Sequence, residues 1–273
     1  MDVTLFEAIV LGIVQGLAEF LPISSSGHLI LVPWVLGWRE HGLTFDLALH
    51  LGTSVALLAY FWRDWVTLVR AVLAGLVRPD ARKSDHWRLA WLIVIGCIPA
   101  GVVGVLFEDV IESALRSPTQ IAVLLIVFGL VLLAADRIGK RSRHLQQVTL
   151  TDALVIGFAQ VLALAPGVSR SGITMTAGLF RGLDRGSAAR FSFLLSAPIT
   201  VAAALYKLRV LVRQPPAGAE LVMFLAGIVA AAIVGALAIG FMLRYLQRQP
   251  VDLFVWYRVA AGVLVLGLVL LGR

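Results

Sequence analysis

The residues of this chain that are best suited to chemistry fall in two short polar segments that interrupt long apolar stretches. The first segment reads QGLAEFLPISSSGHL, from Gln15 to Leu29. Gln15 and Glu19 are four positions apart, so a helix would place both side chains on one face. Because the residue before a proline is biased away from helical angles, Pro22 should end or bend that helix. The segment predicts a helix that carries a carboxylate and then breaks.

Hydroxyl and glycine residues follow this break and precede a second predicted helix. They are Ser24, Ser25, Ser26 and Gly27. Unpaired amides at a helix start, together with the positive end of the helix dipole, form a site for anions. His28 lies at the same helix start. The break therefore predicts an anion-binding site that includes an imidazole.

The second polar segment reads APGVSRSGIT and centres on Arg170. An arginine suits phosphate because its planar fork can bind two oxygens at once. An ionisable residue within a membrane costs roughly 2.5–3.5 kcal/mol on insertion scales, so a functional role is the default expectation. Small and hydroxyl residues that allow close backbone approach surround this arginine: Gly167, Ser169, Ser171 and Gly172.

Purely structural roles stay open for each of these residues. Serines in membrane helices often bond to a carbonyl one turn earlier. Glu19 could be a neutral, satisfied core carboxyl, and His28 could cap a helix. Arg170 could pair with Glu19 without taking part in any reaction. The coincidence of all these groups in two short breaks favours function.

The composition predicts an integral membrane protein. Of 273 residues, 60% are hydrophobic and 14% charged, and the mean hydropathy is +0.93, whereas a soluble chain carries about a quarter charged residues. Five apolar blocks approach or exceed the roughly 20 residues that span a membrane: Leu43–Trp62, Leu89–Phe107, Gln120–Ala135, Leu221–Leu243 and Leu253–Leu271. The net charge of +7 is attributed to membrane topology, and nucleic acid is not an expected partner.

A weak internal repeat relates the two polar segments. Residues Gly12, Gln15 and Gly27 recur 145 positions later as Gly157, Gln160 and Gly172. We therefore predict one membrane domain, 1–273, with repeat one at 1–145 and repeat two at 150–273.

Each repeat begins with two short apolar pieces, at about 5–36 and about 153–180, and continues with three longer ones. Polar backbone cannot face lipid, so each broken pair is best explained as a re-entrant hairpin. Because each repeat has an odd number of spans, the second repeat begins on the opposite face of the membrane and is inverted relative to the first. The fold class predicted is all-α and polytopic, with six transmembrane helices plus two re-entrant helical hairpins in an inverted-topology repeat, whose hairpins mark a midplane site.

The positive charges indicate the orientation. Of the 23 Lys and Arg residues, fifteen fall in segments that this topology places in the cytoplasm and six in outer segments. Lys and Arg are retained on the cytoplasmic side. Both termini and the opening of the site are therefore expected on the outer face.

At these motifs the chain resembles the undecaprenyl-diphosphate phosphatase family of bacterial membranes, sometimes called bacitracin-resistance proteins. The motifs QGLAEFLPISSSGH and PGVSRSG and the stretch FDLALHLGTSVALLAYFWRDW carry the resemblance, which covers essentially the whole chain. It implies hydrolysis of undecaprenyl diphosphate to the monophosphate and inorganic phosphate. That reaction recycles the lipid carrier for cell-wall synthesis at the bacterial inner membrane.

The resemblance also implies roles for particular residues. The essential glutamate, serine, histidine and arginine of the family match Glu19, Ser25, His28 and Arg170. Magnesium or calcium is implied by the resemblance alone, with Glu19 as the candidate ligand. Gln15 occupies a position that is Glu in many relatives, and as a neutral neighbour it cannot be an anionic ligand or base. The remaining polar residues would bind phosphate: Ser24, Ser26, Gly27, Ser169, Ser171 and Gly172.

Three mechanisms remain open. Ser25 could be the nucleophile, with His28 or Glu19 taking its proton. His28 could instead be the nucleophile, or Glu19 could activate water beside a divalent cation. Asp46 and His50, four apart near the outer end of their span, are expected at the rim rather than in catalysis.

A transporter or flippase of a lipid phosphate or small anion is the rival function. Inverted repeats with broken helices at the midplane are a transporter architecture, and architecture alone does not decide function. The expected partners are a polyprenyl diphosphate lipid and the bilayer. A homodimer is compatible with the sequence, which carries no evidence on oligomeric state.

Overall fold

The chain is all helical throughout the residues that its computed structural model describes, which are 3–39, 41–213 and 218–273. In these ranges the one β-interaction is an isolated bridge between Arg143 and Leu183. The all-α class predicted from the apolar blocks is confirmed. The α-helices of the described ranges are α1 Leu5–Phe20, α2 Ser25–Leu36, α3 Leu43–Tyr60, α4 Trp62–Val77, α5 Asp85–Ala114, α6 Pro118–Ile138, α7 Leu150–Val161, α8 Arg170–Phe180, α9 Arg185–Arg213, α10 Ala219–Tyr245 and α11 Asp252–Leu270.

Several of these helices can cross a membrane. Within the described residues, α5 (over Asp85–Phe107), α6, α10 and α11 are long and apolar enough to do so. The bent pair α3 and α4 makes a fifth candidate if it is counted as one span. The protein is therefore a multi-pass membrane protein.

The predicted apolar block Leu43–Trp62 corresponds to α3, and at its end the chain bends by 73° into α4. Phe61 at the bend leaves ideal helical angles, with φ −96° and ψ 21°. Its ring is buried near that of Phe193. The apolar block ends at Trp62 because Arg63 and Asp64 follow, so hydropathy gave no reason to continue the helix as α4.

The chain reverses between α1 and α2 in a short turn. Leu21 ends α1 in an extended conformation, as the following Pro22 requires. Ser24 then adopts a left-handed backbone, with φ 77°, and its hydroxyl accepts a hydrogen bond from the Gly27 amide at 3.4 Å. A serine at this position satisfies one of the orphan amides at a helix start. The capping explains why α2 begins immediately after Ser24.

The same construction joins α7 to α8. A short 3-10 helix, Leu162–Leu164, extends α7 before the chain reverses through Gly167, which has φ 102°. Ser169 has φ 74°, and its hydroxyl accepts from the Gly172 amide at 3.1 Å. α8 begins at the next residue, Arg170.

The two broken pairs also share features at their other ends. α1 begins after Thr4, which forms a capping box with Glu7. α7 begins after Thr149, which forms a capping box with Asp152. These residues, like the two serine caps, are 145 positions apart, so the repeat seen in the sequence coincides with repeated local structure.

Small residues let each broken pair pack closely against a long helix of the other half. A Cβ added to Gly12 of α1 would lie 2.6 Å from the Gly227 carbonyl oxygen of α10. A Cβ added to Gly157 of α7 would lie 2.4 Å from the Gly96 carbonyl oxygen of α5. Such close backbone approach is typical of helix packing in membranes. α6 and α11 complete the arrangement by packing on each other.

A cavity of about 1150 Å³ opens beside the ends of α4, α5, α9 and α10. Arg63, Arg88 and Arg190 are among its basic lining residues, and Asp64 is among its acidic ones. None of the four residues predicted to be catalytic lines the cavity.

Candidate active site

Glu19 joins the two broken helix pairs. Its buried carboxylate accepts hydrogen bonds through Oε2 from the Ser25 hydroxyl at 2.6 Å and from Gln15 Nε2 at 3.0 Å. Through Oε1 it accepts from the guanidinium of Arg170, which lies 151 positions further along the chain. Three of the polar residues singled out in the sequence thus meet at one carboxylate.

Ser25 reaches Glu19 because of the turn between α1 and α2. Glu19 lies in the last turn of α1, and Ser25 is the first residue of α2. The left-handed Ser24 between them returns the chain toward α1. A hydroxyl bonded to a carboxylate is the geometry of a nucleophile beside its base.

Arg170 occupies the corresponding place at the start of α8. One of its terminal nitrogens contacts Glu19, and the other donates to the carbonyl of Ser196 at 3.3 Å. About 18% of its side chain is exposed, against 6% for Glu19. The remaining donor positions of the guanidinium can therefore bind an anion that enters the site.

His28 lies apart from this cluster. Its Nδ1 is 2.7 Å from the Ser24 carbonyl oxygen, and its Nε2 is 2.8 Å from the hydroxyl of Tyr257 in α11. Because a carbonyl can only accept, Nδ1 carries a proton, and the Tyr257 hydroxyl donates to Nε2 of the neutral ring. In the described residues His28 has no hydrogen bond to Ser25 or Glu19, and both of its ring nitrogens are engaged elsewhere, so it does not act as the acceptor of the serine proton in this arrangement.

Two of the residues predicted to bind phosphate, Ser24 and Ser171, hold the two turns together. The Ser24 hydroxyl also accepts from the Gly167 amide at 3.0 Å, and the Ser171 hydroxyl donates to the Leu21 carbonyl at 3.1 Å. The Ser169 hydroxyl lies 3.2 Å from that of Ser171. Ser26, half-buried, has no hydrogen-bonded side-chain partner in the described residues. The first amides of α2 and α8 lack intrahelical partners by position, so backbone groups are the better anion donors here.

Arg258 of α11 was left aside in the sequence as a cation near a span end, yet it is fully buried beneath both turns. No acidic partner of this residue lies in the described ranges, and its donors reach carbonyl oxygens instead. They bond Pro22 at 3.0 Å, Gly167 at 2.8 Å, Val168 at 3.1 Å and Leu125 of α6 at 2.9 Å. Arg258 therefore fixes the first turn, the second turn and α6 relative to one another.

The sequence also underestimated His50. It was expected at the rim, but its Nε2 lies 3.8 Å from Glu19 Oε2. Thr53, one turn further along α3, has its hydroxyl 3.4 Å from Gln15 Nε2. The spacing of Asp46 and His50 in an apolar helix was the available signal.

The chain matches a family model described as bacitracin resistance protein BacA over residues 8–264. A protein of Moorella thermoacetica is 50% identical over 270 residues, which cover 99% of this chain and all of the relative. Relatives from Pelotomaculum thermopropionicum and Thermomicrobium roseum are 46% and 49% identical, and the matches cover 96% and 98% of this chain and 96% and 99% of the relatives. Each of the three is named undecaprenyl-diphosphatase.

Proposed function

This chain belongs to the bacitracin resistance protein BacA family, and on that premise we propose that it hydrolyses undecaprenyl diphosphate to undecaprenyl phosphate and inorganic phosphate. The shared name of the relatives supplies the substrate. The hydrogen bond of 2.6 Å from Ser25 to Glu19 is the observation in this molecule that carries the proposal. The reaction would recycle the lipid carrier of cell-wall synthesis in the bacterial inner membrane.

In the first step, Ser25 Oγ attacks the terminal phosphorus as its proton passes to Glu19. The bond from that phosphorus to the bridging oxygen breaks, and undecaprenyl phosphate leaves with the electron pair. Arg170 and the free amides at the start of α2 offset charge on the phosphoryl oxygens, since phosphoryl transfer depends mainly on positioning and electrostatics.

In the second step, water attacks the phosphoserine. The bond between phosphorus and Ser25 Oγ breaks, inorganic phosphate leaves, and a proton from the attacking water restores the Ser25 hydroxyl through Glu19. Ser25 is favoured over His28 as nucleophile because both nitrogens of His28 are engaged by Ser24 and Tyr257. We assign His28 to holding α2 against α11.

The described residues do not form a resident site for magnesium or calcium. Both oxygens of Glu19 are occupied by Ser25, Gln15 and Arg170, and no group of three or more His, Cys, Asp or Glu lies together in the described part of the chain. Magnesium commonly binds through one or two carboxylates plus substrate phosphates. We propose that a divalent cation, when it takes part, arrives bound to the diphosphate, and none of the steps above depends on it.

We propose six transmembrane helices with α1–α2 and α7–α8 as re-entrant hairpins of two inverted repeats. Two observations support this topology. The capping residues of the two repeats have equal spacing, and the first helix of each repeat packs on a long helix of the other repeat, α1 on α10 and α7 on α5. The diphosphate would lie near the midplane while the polyprenyl chain stays in lipid. The charge bias supports both termini and the site opening on the outer face. We keep a homodimer as a proposal that the mass of the purified protein in detergent would test.

Phosphate release from undecaprenyl diphosphate in detergent tests this function, because detergent micelles allow no vectorial transport. We expect Ser25→Ala and Arg170→Ala to lower kcat by at least about 100-fold. Thr67→Ala is the matched control, since this exposed hydroxyl of α4 bonds only the Arg63 carbonyl of its own helix.

Full activity of Ser25→Ala would remove serine as the nucleophile. A folded wild-type protein without phosphate release would refute the hydrolase and favour the rival transporter, for which the hydroxyl beside a carboxylate has no purpose.

A further inference from the structure

His50 is the side chain that connects the buried carboxylate of the site to more exposed surroundings. About 32% of its side chain is exposed, whereas Glu19 is about 6% exposed. Its Nε2 faces Glu19 Oε2 at 3.8 Å, and that oxygen is the one that accepts the Ser25 hydroxyl at 2.6 Å. The Ser25 hydroxyl, the Glu19 carboxylate and the His50 imidazole therefore form a row that ends at the more exposed His50.

The protonation of this imidazole is fixed from its other side. His50 Nδ1 lies 2.8 Å from the Asp46 carbonyl oxygen, one turn earlier in α3. A carbonyl can only accept, so Nδ1 carries the proton and Nε2 of the neutral ring has a free lone pair. The distance of 3.8 Å is too long for a hydrogen bond. Nε2 of His50 therefore lies near Glu19 without a hydrogen bond between them.

The chemistry of the first step requires such an acceptor. A carboxylate that stays bonded to a guanidinium retains a proton poorly, and Arg170 contacts Glu19 directly. A proton taken from Ser25 must leave the carboxylate before Glu19 can accept a second proton from the attacking water.

We infer that His50 relays the serine proton away from Glu19, acting as a positioning and proton-transfer residue that does not touch the substrate. This inference rests on the proposed function. As the bond from phosphorus to Ser25 Oγ forms, the serine proton moves to Glu19 Oε2 and then, through one water that bridges the 3.8 Å gap, to His50 Nε2, which passes it to solvent. In the second step the proton of the attacking water goes through Glu19 to Ser25 Oγ, so each proton is accounted for.

The charged groups around His50 are few in the described residues. Glu19 of α1 faces it directly, and Arg170 of α8 acts through Glu19. On its own helix, Asp46 is paired with His41 at 2.6 Å. On α10, the Ile228 carbonyl oxygen faces Gly52 of α3, two residues from His50. No described residue of α10 forms an ion pair with His50.

The test is kcat and KM against pH for phosphate release from undecaprenyl diphosphate. In the wild type, kcat should fall on the acidic side, because a protonated His50 cannot accept a proton. His50→Gln keeps a polar side chain but cannot titrate. This variant should lower kcat by about 10- to 100-fold relative to the wild type. It should also flatten the acidic limb, which is the fall in kcat at acidic pH, and leave KM within about twofold.

His86→Gln is the matched control, since His86 lies at the start of α5, at the opposite end of the molecule. It should reproduce the wild-type profile. An unchanged acidic limb in His50→Gln, or a rise in KM with unchanged kcat, would overturn the relay.

A second variant, His50→Ala, distinguishes loss of the relay from a folding defect in His50→Gln. His50→Ala leaves an opening that imidazole from the buffer can enter, so added imidazole should restore kcat at least fivefold, whereas it should not accelerate His86→Ala. No acceleration by imidazole in a folded His50→Ala overturns the relay. These outcomes presuppose that the wild type releases phosphate and that Ser25→Ala abolishes this release. If either condition is not met, the proposed function is refuted rather than the relay.

Discussion

At the scale of single residues, the site consists of a few side chains whose contacts cross between distant parts of the chain. The ion pair of Glu19 with Arg170 could be anticipated, because each is an unusual charge in an apolar break. The contacts of His28 with Tyr257 and of Arg258 with Pro22 could not be anticipated. The partners are 229 and 236 positions apart, and neither Tyr257 nor the Pro22 carbonyl stands out in the sequence as an unusual charge does. No local pattern in a sequence records such a pairing.

Arg258 yields a prediction about stability. Arg258→Met keeps much of the volume but leaves the carbonyls of Pro22, Gly167 and Leu125 without donors. Unsatisfied buried acceptors cost about 1–3 kcal/mol each, so the melting temperature in detergent should fall by several degrees and activity should fall with it. Arg137→Met is the control, because this exposed arginine pairs with Asp252 at the surface, where such pairs contribute about 0–1 kcal/mol. Equal melting temperatures for the two variants would contradict the role of Arg258.

At the scale of elements, the sequence located the long apolar helices, missed α4 and misplaced the starts of the second helix in each broken pair. The sequence placed the hydroxyl and glycine residues of each break before the second helix, with His28 at its start in the first pair, but the helices begin at Ser25 and Arg170. Serine and glycine have low helix propensity, so the apolar pattern alone excluded them. The serine caps at the preceding positions determine the true starts.

The approach of α7 to α5 leads to a prediction about packing. Gly157→Ala would place a Cβ 2.4 Å from the Gly96 carbonyl oxygen, so the two helices must separate. We expect a clear loss in melting temperature and a loss of activity, because α7 leads into the turn that carries Arg170. Gly101→Ala on α5 is the matched control, since a Cβ there meets nothing within 4 Å. It should be neutral or stabilising by up to about 1 kcal/mol.

Asp184 makes the start of α9 sensitive to pH. Burial raises the pKa of its carboxyl, but hydrogen bonds from the amide and hydroxyl of Ser187 and from His144 outweigh that effect and leave the pKa below its usual value of 3.8. A lowered pKa means that the ionised form stabilises the fold above that value and that the contribution is lost as the pH falls through the folded-state pKa.

Asp184→Ala should therefore lower stability by about 1 kcal/mol at pH 7, as loss of a helix cap does. Melting temperatures measured from pH 7 down to pH 3 should show the gap between wild type and variant narrowing below about pH 4. A gap that widens on acidification would contradict the assignment.

At the scale of the whole molecule, the multi-pass membrane character followed from composition, whereas the bend between α3 and α4 did not. The orientation can be tested by cysteine labelling after Cys97→Ala removes the single native thiol. Arg116→Cys and Ser142→Cys lie on either side of α6. An impermeant maleimide applied to intact cells should label the first and should label the second only after permeabilisation. The reverse pattern would invert the orientation, and labelling of both from outside would contradict a single crossing by α6.

Ser25 and Arg170 occupy equivalent places: each is the first residue of a helix that follows a left-handed serine, and they are 145 positions apart. In the proposed mechanism one carries the attacking oxygen and the other the positive charge that offsets the charge on the phosphoryl oxygens. Two identical half-length subunits would have to present either two alcohols or two guanidiniums at these places. Joining the halves in one polypeptide is what allows them to differ, here and at Glu19, whose counterpart 145 positions later is Leu164, so the division of labour depends on covalent linkage of two non-identical repeats.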